Sequence, residues 1–337
     1  MAELPERLLI LRFSALGDVA MMVPAIYSVA RAWPALEIYV ATRPFFARMF
    51  INAPSNVHVL AFDLKDERYK GLKGTFRIAR ELGRLQPDYV ADMHGIARSV
   101  IITAMLRMEG AQTVTIDKSR LTRNRVFRGG PAQKQYIRRY FDTLAKLGFD
   151  AAPAFTSVYD ATGVPAPAVD IKHPAVGIAP FARYLTKTYP PEMMLKVARG
   201  LAERGVHVYL LGGRGKEAET LATWEQPGIE SLAGRFPLED EIATMAHMDV
   251  VVSMDSANQH LAGLAGAKVS VWGSTTPACG FLGFGQTADN TIVAGIDCQP
   301  CTIAGGKSCL RGDLACMRTI PPQIIIDKVM SMLEQGN

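Results

Sequence analysis

Short apolar runs alternate with amphipathic stretches along the whole chain. Residues 7–13, RLLILRF, are a continuous apolar run of the kind found in strands that are buried on both faces. Similar runs recur at residues 36–44, 88–95, 175–181, 206–213, 249–255 and 268–273. After the loop at Ser14–Asp18, apolar residues recur at helical spacing as far as Pro34. The same spacing recurs at residues 77–87, 136–148, 190–205, 238–248, 257–266 and 321–335. This alternation predicts α/β architecture, with parallel sheets covered by helices on both faces.

The alternation is interrupted once, near the middle of the chain. Residues 160–177, DATGVPAPAVDIKHPAVG, are rich in Pro, Ala and Gly and read as a linker. With 337 residues, the chain has about the right length for two α/β domains. We therefore expect two Rossmann-like, doubly wound domains, over residues 1–165 and 166–337, that face each other across a cleft. The final helix is a candidate to pack back on the N-terminal domain.

Composition favours a globular chain, since 49% of the residues are hydrophobic and 20% are charged. No uninterrupted apolar run reaches the roughly 18 residues that a transmembrane helix needs. The N-terminus, MAELPERLLILRFSALGD, carries acidic residues where a signal peptide has a basic region. We therefore expect a cytoplasmic protein.

Positive charge is concentrated in the first half of the chain. Residues 1–160 hold 23 Lys and Arg against 15 Asp and Glu, whereas the remainder holds 14 against 17. Residues 118–139 contain eight basic residues and no acidic one. This segment is either a solvated basic face or a docking surface for an anionic glycan, an anionic lipid or a nucleic acid. Nucleic acid ranks last, because no nucleic-acid motif accompanies the charge and aromatic residues are few.

Polar residues follow two predicted strands of the first domain, where doubly wound folds bind ligands. Asp18 comes after Gly17 at the start of a helix, and it is either a helix cap or a general base. Asp92 and His94 lie at the end of the strand at residues 88–95, and Arg98 follows it. A histidine in this position is either structural or a ligand contact.

In the second domain the corresponding positions favour an anion site. Lys187 is either a surface lysine or a cation for a phosphate, and the helix start after Asp255 offers free backbone amides. The small or polar residues 256–258 let an anion approach those amides, and His260 lies about one turn in. A capping role would explain Asp255 but not His260. Residues 273–277, GSTTP, add hydroxyl groups to the same rim.

Four of the five cysteines fall within 19 residues, at Cys298, Cys301, Cys309 and Cys316. The CxxC at the start suggests a structural zinc site, although the later spacings are irregular. Reduced thiols are the alternative that we favour, and a disulfide is disfavoured in a reducing compartment.

Together these motifs resemble glycosyltransferase family 9, the ADP-heptose:lipopolysaccharide heptosyltransferases. The resemblance rests on ILRFSALGDVAMMVPAI, DMHGIARS, TKTYPPE and VVSMDSANQHLAGLAGAKVSVWGSTTP. It implies a GT-B fold and an inverting, metal-independent transfer of a sugar, typically heptose, from an ADP-sugar to the inner core of lipopolysaccharide. No cofactor beyond the donor substrate is implied, and peripheral association with the cytoplasmic face of the inner membrane is expected.

The resemblance also implies roles for residues of this chain. Asp18 corresponds to the catalytic base. The family's donor-site residues correspond to Lys187, Asp255 and His260. Together with the reading of the loops, this predicts donor binding by Lys187, Thr188, Glu217, Asp255, Ser256, Ala257, Asn258, His260 and Thr275. The residues expected to bind an anionic glycolipid acceptor are Ser14, His94, Arg98, Arg120 and Arg123.

Two other functions remain open from the sequence. A nucleotide-sugar epimerase uses the same two-domain architecture and needs no acceptor. A non-catalytic nucleotide-sugar-binding protein would retain Lys187 and His260 but would have no need of Asp18.

Overall fold

A computed structural model describes residues 6–266 and 268–336, which form two α/β units. The first unit comprises the chain up to Ser119 together with Tyr136–Ala161. The second comprises Arg120–Gln135 and the chain from Thr162 onward. Each unit is built around its own parallel sheet.

The first unit has a five-stranded sheet in the order β3-β2-β1-β4-β5. Its strands are β1 (Arg7–Leu11), β2 (Glu37–Thr42), β3 (Val57–Ala61), β4 (Tyr89–Asp92) and β5 (Gln112–Thr115). Its helices are α1 (Leu16–Ala32), α2 (Pro44–Ala47), α3 (Gly71–Gly83), α4 (Ala97–Met108) and α5 (Tyr136–Ala145). In register, Leu9 of β1 pairs with Tyr39 of β2 and with Val90 of β4.

The second unit has a six-stranded sheet in the order β11-β10-β9-β6-β7-β8. Its strands are β6 (Ala175–Ala179), β7 (His207–Leu210), β8 (Ile229–Ser231), β9 (Val250–Met254), β10 (Lys268–Trp272) and β11 (Thr291–Val293). Its helices are α6 (Pro191–Ala202), α7 (Lys216–Ala222), α8 (Leu238–Ala246), α9 (Ala257–Ala265), α10 (Ala315–Arg318) and α11 (Pro322–Gly336).

Each sheet buries apolar residues from its central strands against the helices. In the first unit, Leu9 and Leu11 of β1 contact Ile78 of α3 and Ile102 of α4 in one buried cluster. In the second unit, α11 packs on α6, and its Ile325 and Val329 belong to the core. The burial of one such side chain stabilises the fold by about 1.5–3 kcal/mol. This gain explains why the amphipathic stretches adopt helices here.

The strand order reverses at β1 in the first sheet and at β6 in the second. In the first unit, the loops after β1 and β4 flank the reversal, and in the second unit the loops after β6 and β9 do so. Doubly wound sheets bind ligands at this point, outside the carboxyl ends of their strands. The predicted motifs that carry Asp18, His94, Lys187 and Asp255 lie at these four loops.

The basic segment Arg120–Gln135 groups with the second unit, although it lies between β5 and α5 in sequence. Its end is held by the loop that follows β10. Gln133 N donates to Ala278 O at 2.8 Å, and the Gln135 side chain donates to Pro277 O at 3.1 Å and accepts from Leu282 N at 3.0 Å. The predicted boundary near residue 165 stays a prediction.

Within residues 6–266 and 268–336, no helix combines the length and the apolar character that a bilayer crossing requires.

Candidate active site

The loop after β1 carries an ion pair at the start of α1. Nη2 of Arg12 lies 2.8 Å from Oδ2 of Asp18, and the two side chains are 3% and 24% exposed. Asp18 is the third residue of α1, and its Oδ2 also accepts a hydrogen bond from Ala15 N at 3.2 Å. In the described part of the chain both contacts use Oδ2, which leaves Oδ1 to accept a proton. A capping contact and a catalytic role are therefore compatible in this residue.

Arg12 is a buried cation that the sequence analysis did not single out. Burial opposes its charge, but Tyr140 and Asp18 outweigh that effect and hold the pKa of Arg12 above its usual value. Its Nη1 donates to the carbonyl of Met93, and its guanidinium lies 5.8 Å from the ring centroid of Tyr140. The available signal was a basic residue near the end of the apolar run RLLILRF.

His94, in the loop after β4, is 5% exposed and contacts the loop after β1. Phe13 N donates to Nδ1 at 3.4 Å, so this nitrogen carries no proton. The proton of the neutral ring is then on Nε2, which lies 3.0 Å from Ser14 Oγ and donates to it. Burial, followed by the positive charges of Arg12 and Lys118, lowers the pKa of His94 to about 3.

Asp92 fixes the backbone around this histidine. It is fully buried, and its Oδ1 accepts hydrogen bonds from His94 N at 2.9 Å and Gly95 N at 2.8 Å. Its Oδ2 accepts from Ser99 Oγ at 3.0 Å. Both oxygens of the carboxylate accept hydrogen bonds from its own loop and from α4, so we assign Asp92 to the structure of the loop.

We expect the free energy of unfolding to fall as the pH drops below 6.5, in part through His94. Histidine in the unfolded chain binds a proton near pH 6.5, whereas folded His94 stays neutral down to about pH 3. Stability is therefore present above pH 6.5 and is lost below it, by up to about 1.4 kcal/mol per pH unit. Chemical denaturation at pH 7.5 and at pH 5.0 measures this effect. Between the two pH values, the free energy of unfolding of His94→Gln should fall by roughly 2 kcal/mol less than that of the wild type. Equal losses in the two proteins would contradict the neutral assignment.

The three arginines predicted to bind the acceptor belong to different units. Arg98 is the second residue of α4 in the first unit, whereas Arg120 and Arg123 belong to the second. Nη1 of Arg98 and Nε of Arg123 are buried and have no hydrogen-bond partner among the described residues. A buried donor without a partner is a place where an anionic ligand gains a hydrogen bond.

Three loops of the second unit meet at a buried ion pair. Nζ of Lys187, after β6, lies 2.8 Å from Oδ2 of Asp255, after β9, and the side chains are 13% and 2% exposed. Thr275, after β10, donates from Oγ1 to the same oxygen at 2.5 Å. From the sequence, Asp255 is expected to cap α9 or to bind the donor, and in the structure its carboxylate pairs with Lys187. An ammonium has three N–H donors, and this contact uses one.

The start of α9 adjoins this pair. Asp255 and Ser256 form the whole connection between β9 and α9, and Ser256 occupies the N-cap position. Its Oγ is buried without a hydrogen-bond partner in the part of the chain that the structure describes. Ala257 and Asn258 are the first two residues of α9. The first backbone N–H groups of a helix have no carbonyl partner within the helix. His260, one turn in, is 6% exposed.

Two predicted donor-binding residues make hydrogen bonds within their own loops. Thr188 Oγ1 donates to Tyr184 O at 3.1 Å. Glu217, at the start of α7, accepts from Gly213 N at 2.7 Å. Glu217 also acts on a neighbouring carboxyl, since burial and then its charge raise the pKa of Glu241 to about 7.

All five cysteines are free thiols. Burial and the charges of Cys298 and Cys309 raise the pKa of Cys301, and burial followed by the other three thiols raises the pKa of Cys316 to about 11. The four thiols of residues 298–316 therefore lie near one another. In the described ranges no group of three or more His, Cys, Asp or Glu is arranged to hold a metal ion. A metal site at these cysteines stays a prediction.

Comparison with known proteins decides the family. The family model described as "Glycosyltransferase family 9 (heptosyltransferase)" matches residues 75–305. The chain belongs to glycosyltransferase family 9. It is therefore a glycosyltransferase of the heptosyltransferase type, and the predicted family and enzyme class are confirmed. Neither the family match nor the relatives named below support the epimerase or the non-catalytic binding protein.

Three relatives of this family 9 enzyme cover nearly all of its length. Lipopolysaccharide heptosyltransferase 1 of Pseudomonas aeruginosa is 24% identical over 308 residues, which are 88% of this chain and 86% of the relative. The crystal structure of the glycosyl transferase family 9 from Veillonella parvula has a TM-score of 0.71 at 18% identity and covers 99% of both chains. The E. coli heptosyltransferase WaaC with ADP has a TM-score of 0.68 at 19% identity, over 97% of this chain and 99% of that one. These structures confirm the predicted GT-B fold of two Rossmann-like domains.

Proposed function

We propose that this enzyme transfers heptose from ADP-heptose to the inner core of lipopolysaccharide, with inversion at the anomeric carbon and without a divalent metal. One observation carries the proposal: the buried pair of Lys187 and Asp255 lies beside the N-terminus of α9. A lysine ammonium next to unpaired helix amides suits a diphosphate. The sugar and the acceptor in this proposal come from the names of the relatives, and the nucleotide from the ADP bound to WaaC.

In this proposal the second unit, within residues 166–337, holds the donor. The amides at the start of α9 and the remaining N–H donors of Lys187 bind the diphosphate. Glu217 binds the ribose, and Asp255 and Thr275 keep Lys187 in place and reach the donor hydroxyls. The other donor-binding residues are Thr188, Ser256, Ala257, Asn258 and His260.

Asp18 is the base of the proposed reaction. Its carboxylate takes the proton from an acceptor hydroxyl, and that oxygen forms a bond to the anomeric carbon of the donor. The bond from the anomeric carbon to the β-phosphate oxygen breaks on the opposite face, and ADP leaves with the bonding electrons. A single displacement of this kind inverts the configuration, and a positioned base contributes about 10²–10⁴ to the rate.

The proposal needs no divalent metal, because the chain supplies the charge that a metal would bring. Negative charge grows on the β-phosphate as the bond to the sugar breaks. Lys187 and the positive end of α9 stabilise that charge more strongly in the transition state than in the bound donor.

The acceptor side of the proposal is an anionic glycolipid. Ser14, His94 and Arg98 of the first unit, within residues 1–165, bind it together with Arg120 and Arg123 of the basic segment. Unpaired guanidinium donors at Arg98 and Arg123 support an acceptor that carries phosphate or carboxylate groups. Basic segments also bind anionic leaflets, which fits a peripheral enzyme on the cytoplasmic face of the inner membrane.

Calorimetric titration with ADP, UDP and GDP, each with and without EDTA, tests the donor. We expect selective binding of ADP that survives EDTA, since Lys187 and the α9 amides hold the diphosphate. Preference for UDP or GDP, or loss of binding in EDTA, would contradict the proposed donor or its metal independence. Incubation with ADP-heptose alone is the control, because a changed sugar without acceptor would point to an epimerase.

A further inference from the structure

The cysteine-rich segment contacts the stem of Lys187 through a glycine. Gly305 has a φ of +92°, in the left-handed region that favours glycine. A Cβ at this position would overlap Cδ of Lys187 and stand 2.9 Å from Cδ2 of Tyr184. The lysine stem therefore has no room to move toward residue 305 while its Nζ is paired with Asp255.

Three hydroxyl groups anchor this turn; we call Thr302, Ser274 and Thr186 the hydroxyl relay. Thr302 Oγ1 accepts from Gly305 N at 2.9 Å and donates to Ser274 Oγ at 3.2 Å. Ser274 Oγ donates to Thr186 Oγ1 at 2.8 Å. Thr186 Oγ1 donates to Gly306 O at 2.9 Å and accepts from Gly306 N at 2.8 Å.

The hydrogen bonds of the hydroxyl relay run in one direction, and each of its three hydroxyl protons has an acceptor. A hydroxyl has one proton to donate, and each of the three donates once, to the next member or to the turn. Thr186 and Ser274 are both 2% exposed, so water does not compete for the hydrogen bond between them. Removal of one oxygen would leave a buried donor or acceptor unsatisfied and release the glycine turn.

Backbone contacts tie the same turn to the loop that positions Asp255. Cys301 N and Thr302 N donate to Ser274 O at 2.9 and 3.1 Å, and Ser274 N donates to Thr186 O at 2.8 Å. Thr275, the next residue, donates to Asp255. Both members of the ion pair thus depend on one frame, made by the loop after β10 and the cysteine-rich segment.

We propose that Thr186, Ser274, Thr302 and Gly305 are positioning residues, which hold Lys187 where it binds the donor diphosphate. The identity of the ligand in this inference rests on the proposed function, whereas the placement of Lys187 does not. It gives the segment of residues 298–316 a role in donor binding that the four cysteines alone did not suggest.

Two measurements on the full chain test this inference. Acetylation of Lys187 by acetic anhydride, followed by mass spectrometry, reports how firmly the ammonium is held without any ligand. Titration with ADP reports donor binding. The variants are Thr186→Val, Ser274→Ala and Gly305→Ala, with Thr186→Ser as the conservative rescue.

We expect the three disruptive variants to acetylate Lys187 several-fold faster and to raise the Kd for ADP about tenfold, which corresponds to about 1.4 kcal/mol. Thr186→Ser keeps the hydroxyl and should match the wild type in both. The matched control is Thr244→Val, since Thr244 is 1% exposed and donates to Asp240 O at 2.7 Å within α8, with no bond to the hydroxyl relay. It should lose stability without a change in either readout.

The two readouts separate the inference from the proposed function. Unchanged acetylation of Lys187 in all three disruptive variants would overturn the positioning role, and so would an equal increase in Thr244→Val. If Thr186→Val does not fold, Ser274→Ala breaks the relay with the loss of one oxygen. Faster acetylation in a protein that does not bind ADP would support the positioning role and reject the donor.

Discussion

Replacement of Asp18 by Asn should lower the rate of sugar transfer about 1,000-fold, because the acceptor hydroxyl loses its base. The amide keeps the shape of the side chain, so Kd for ADP should stay within about twofold of the wild type. Single-turnover transfer from ADP-heptose and calorimetric titration with ADP measure the two quantities. Retained turnover in this variant would remove Asp18 from the mechanism.

A stability control is necessary, since Asp18→Asn also leaves the guanidinium of Arg12 buried without its counterion. Asp160→Asn is the matched variant. Asp160 is 18% exposed, lies in the same unit and pairs with Arg31 at 2.6 Å. It should lose less stability, because Arg31 is 30% exposed, and it should transfer sugar at the wild-type rate. An equally slow Asp160→Asn would mean that the effect at Asp18 is structural.

Replacement of Lys187 by Met should lower the free energy of unfolding by about 3–5 kcal/mol, because it leaves the Asp255 carboxylate buried and unpaired. The same change should weaken ADP binding about 100-fold, since the diphosphate loses a charged donor in a desolvated site. Urea denaturation and ADP titration measure the two effects separately.

A double variant distinguishes stability from binding at this pair. Lys187→Met with Asp255→Asn removes both charges, so most of the lost stability should return while ADP binding stays weak. The control is Lys70→Met, an exposed lysine paired with Glu67, which should change stability by less than about 1 kcal/mol. If ADP binding recovers together with stability, Lys187 serves the fold and not the donor.

The hydrophobic pattern identified every interior strand and missed every edge strand. All seven predicted strands, β1, β2, β4, β6, β7, β9 and β10, lie inside the two sheets. The four strands without a prediction, β3, β5, β8 and β11, are the sheet edges. Edge strands have a neighbour on one side only and are more exposed, as QTVT of β5 is. They therefore have no continuous apolar run to detect.

The start of α3 depended on a contact that local spacing does not contain. The spacing predicted a helix from residue 77, whereas α3 begins at Gly71. The first turn contains two glycines, which are poor helix formers. Gly74 nevertheless fits, because its missing side chain lets the backbone of Tyr69 approach closely. Tertiary packing outweighs intrinsic propensity in this turn.

The two-unit α/β architecture, the family, and the loops that hold Asp18, His94, Lys187 and Asp255 could all be predicted from the sequence. These predictions follow from the period of apolar residues and from short motifs at strand ends, which are local properties. The pairing of the side chains became visible in the folded chain. The tertiary structure joined Arg12 to Asp18 and Lys187 to Asp255.

The tertiary structure also assigned the basic segment Arg120–Gln135 to the second unit and brought Thr186 to Gly306, 120 residues along the chain. The physical reason is common to these cases. Lys187 and Asp255, like Thr186 and Gly306, belong to loops that follow different strands, and nothing in the spacing of neighbouring residues encodes the distance between such loops. The sequence therefore predicts which loops carry the functional side chains, and the fold sets the partners that hold those side chains in place.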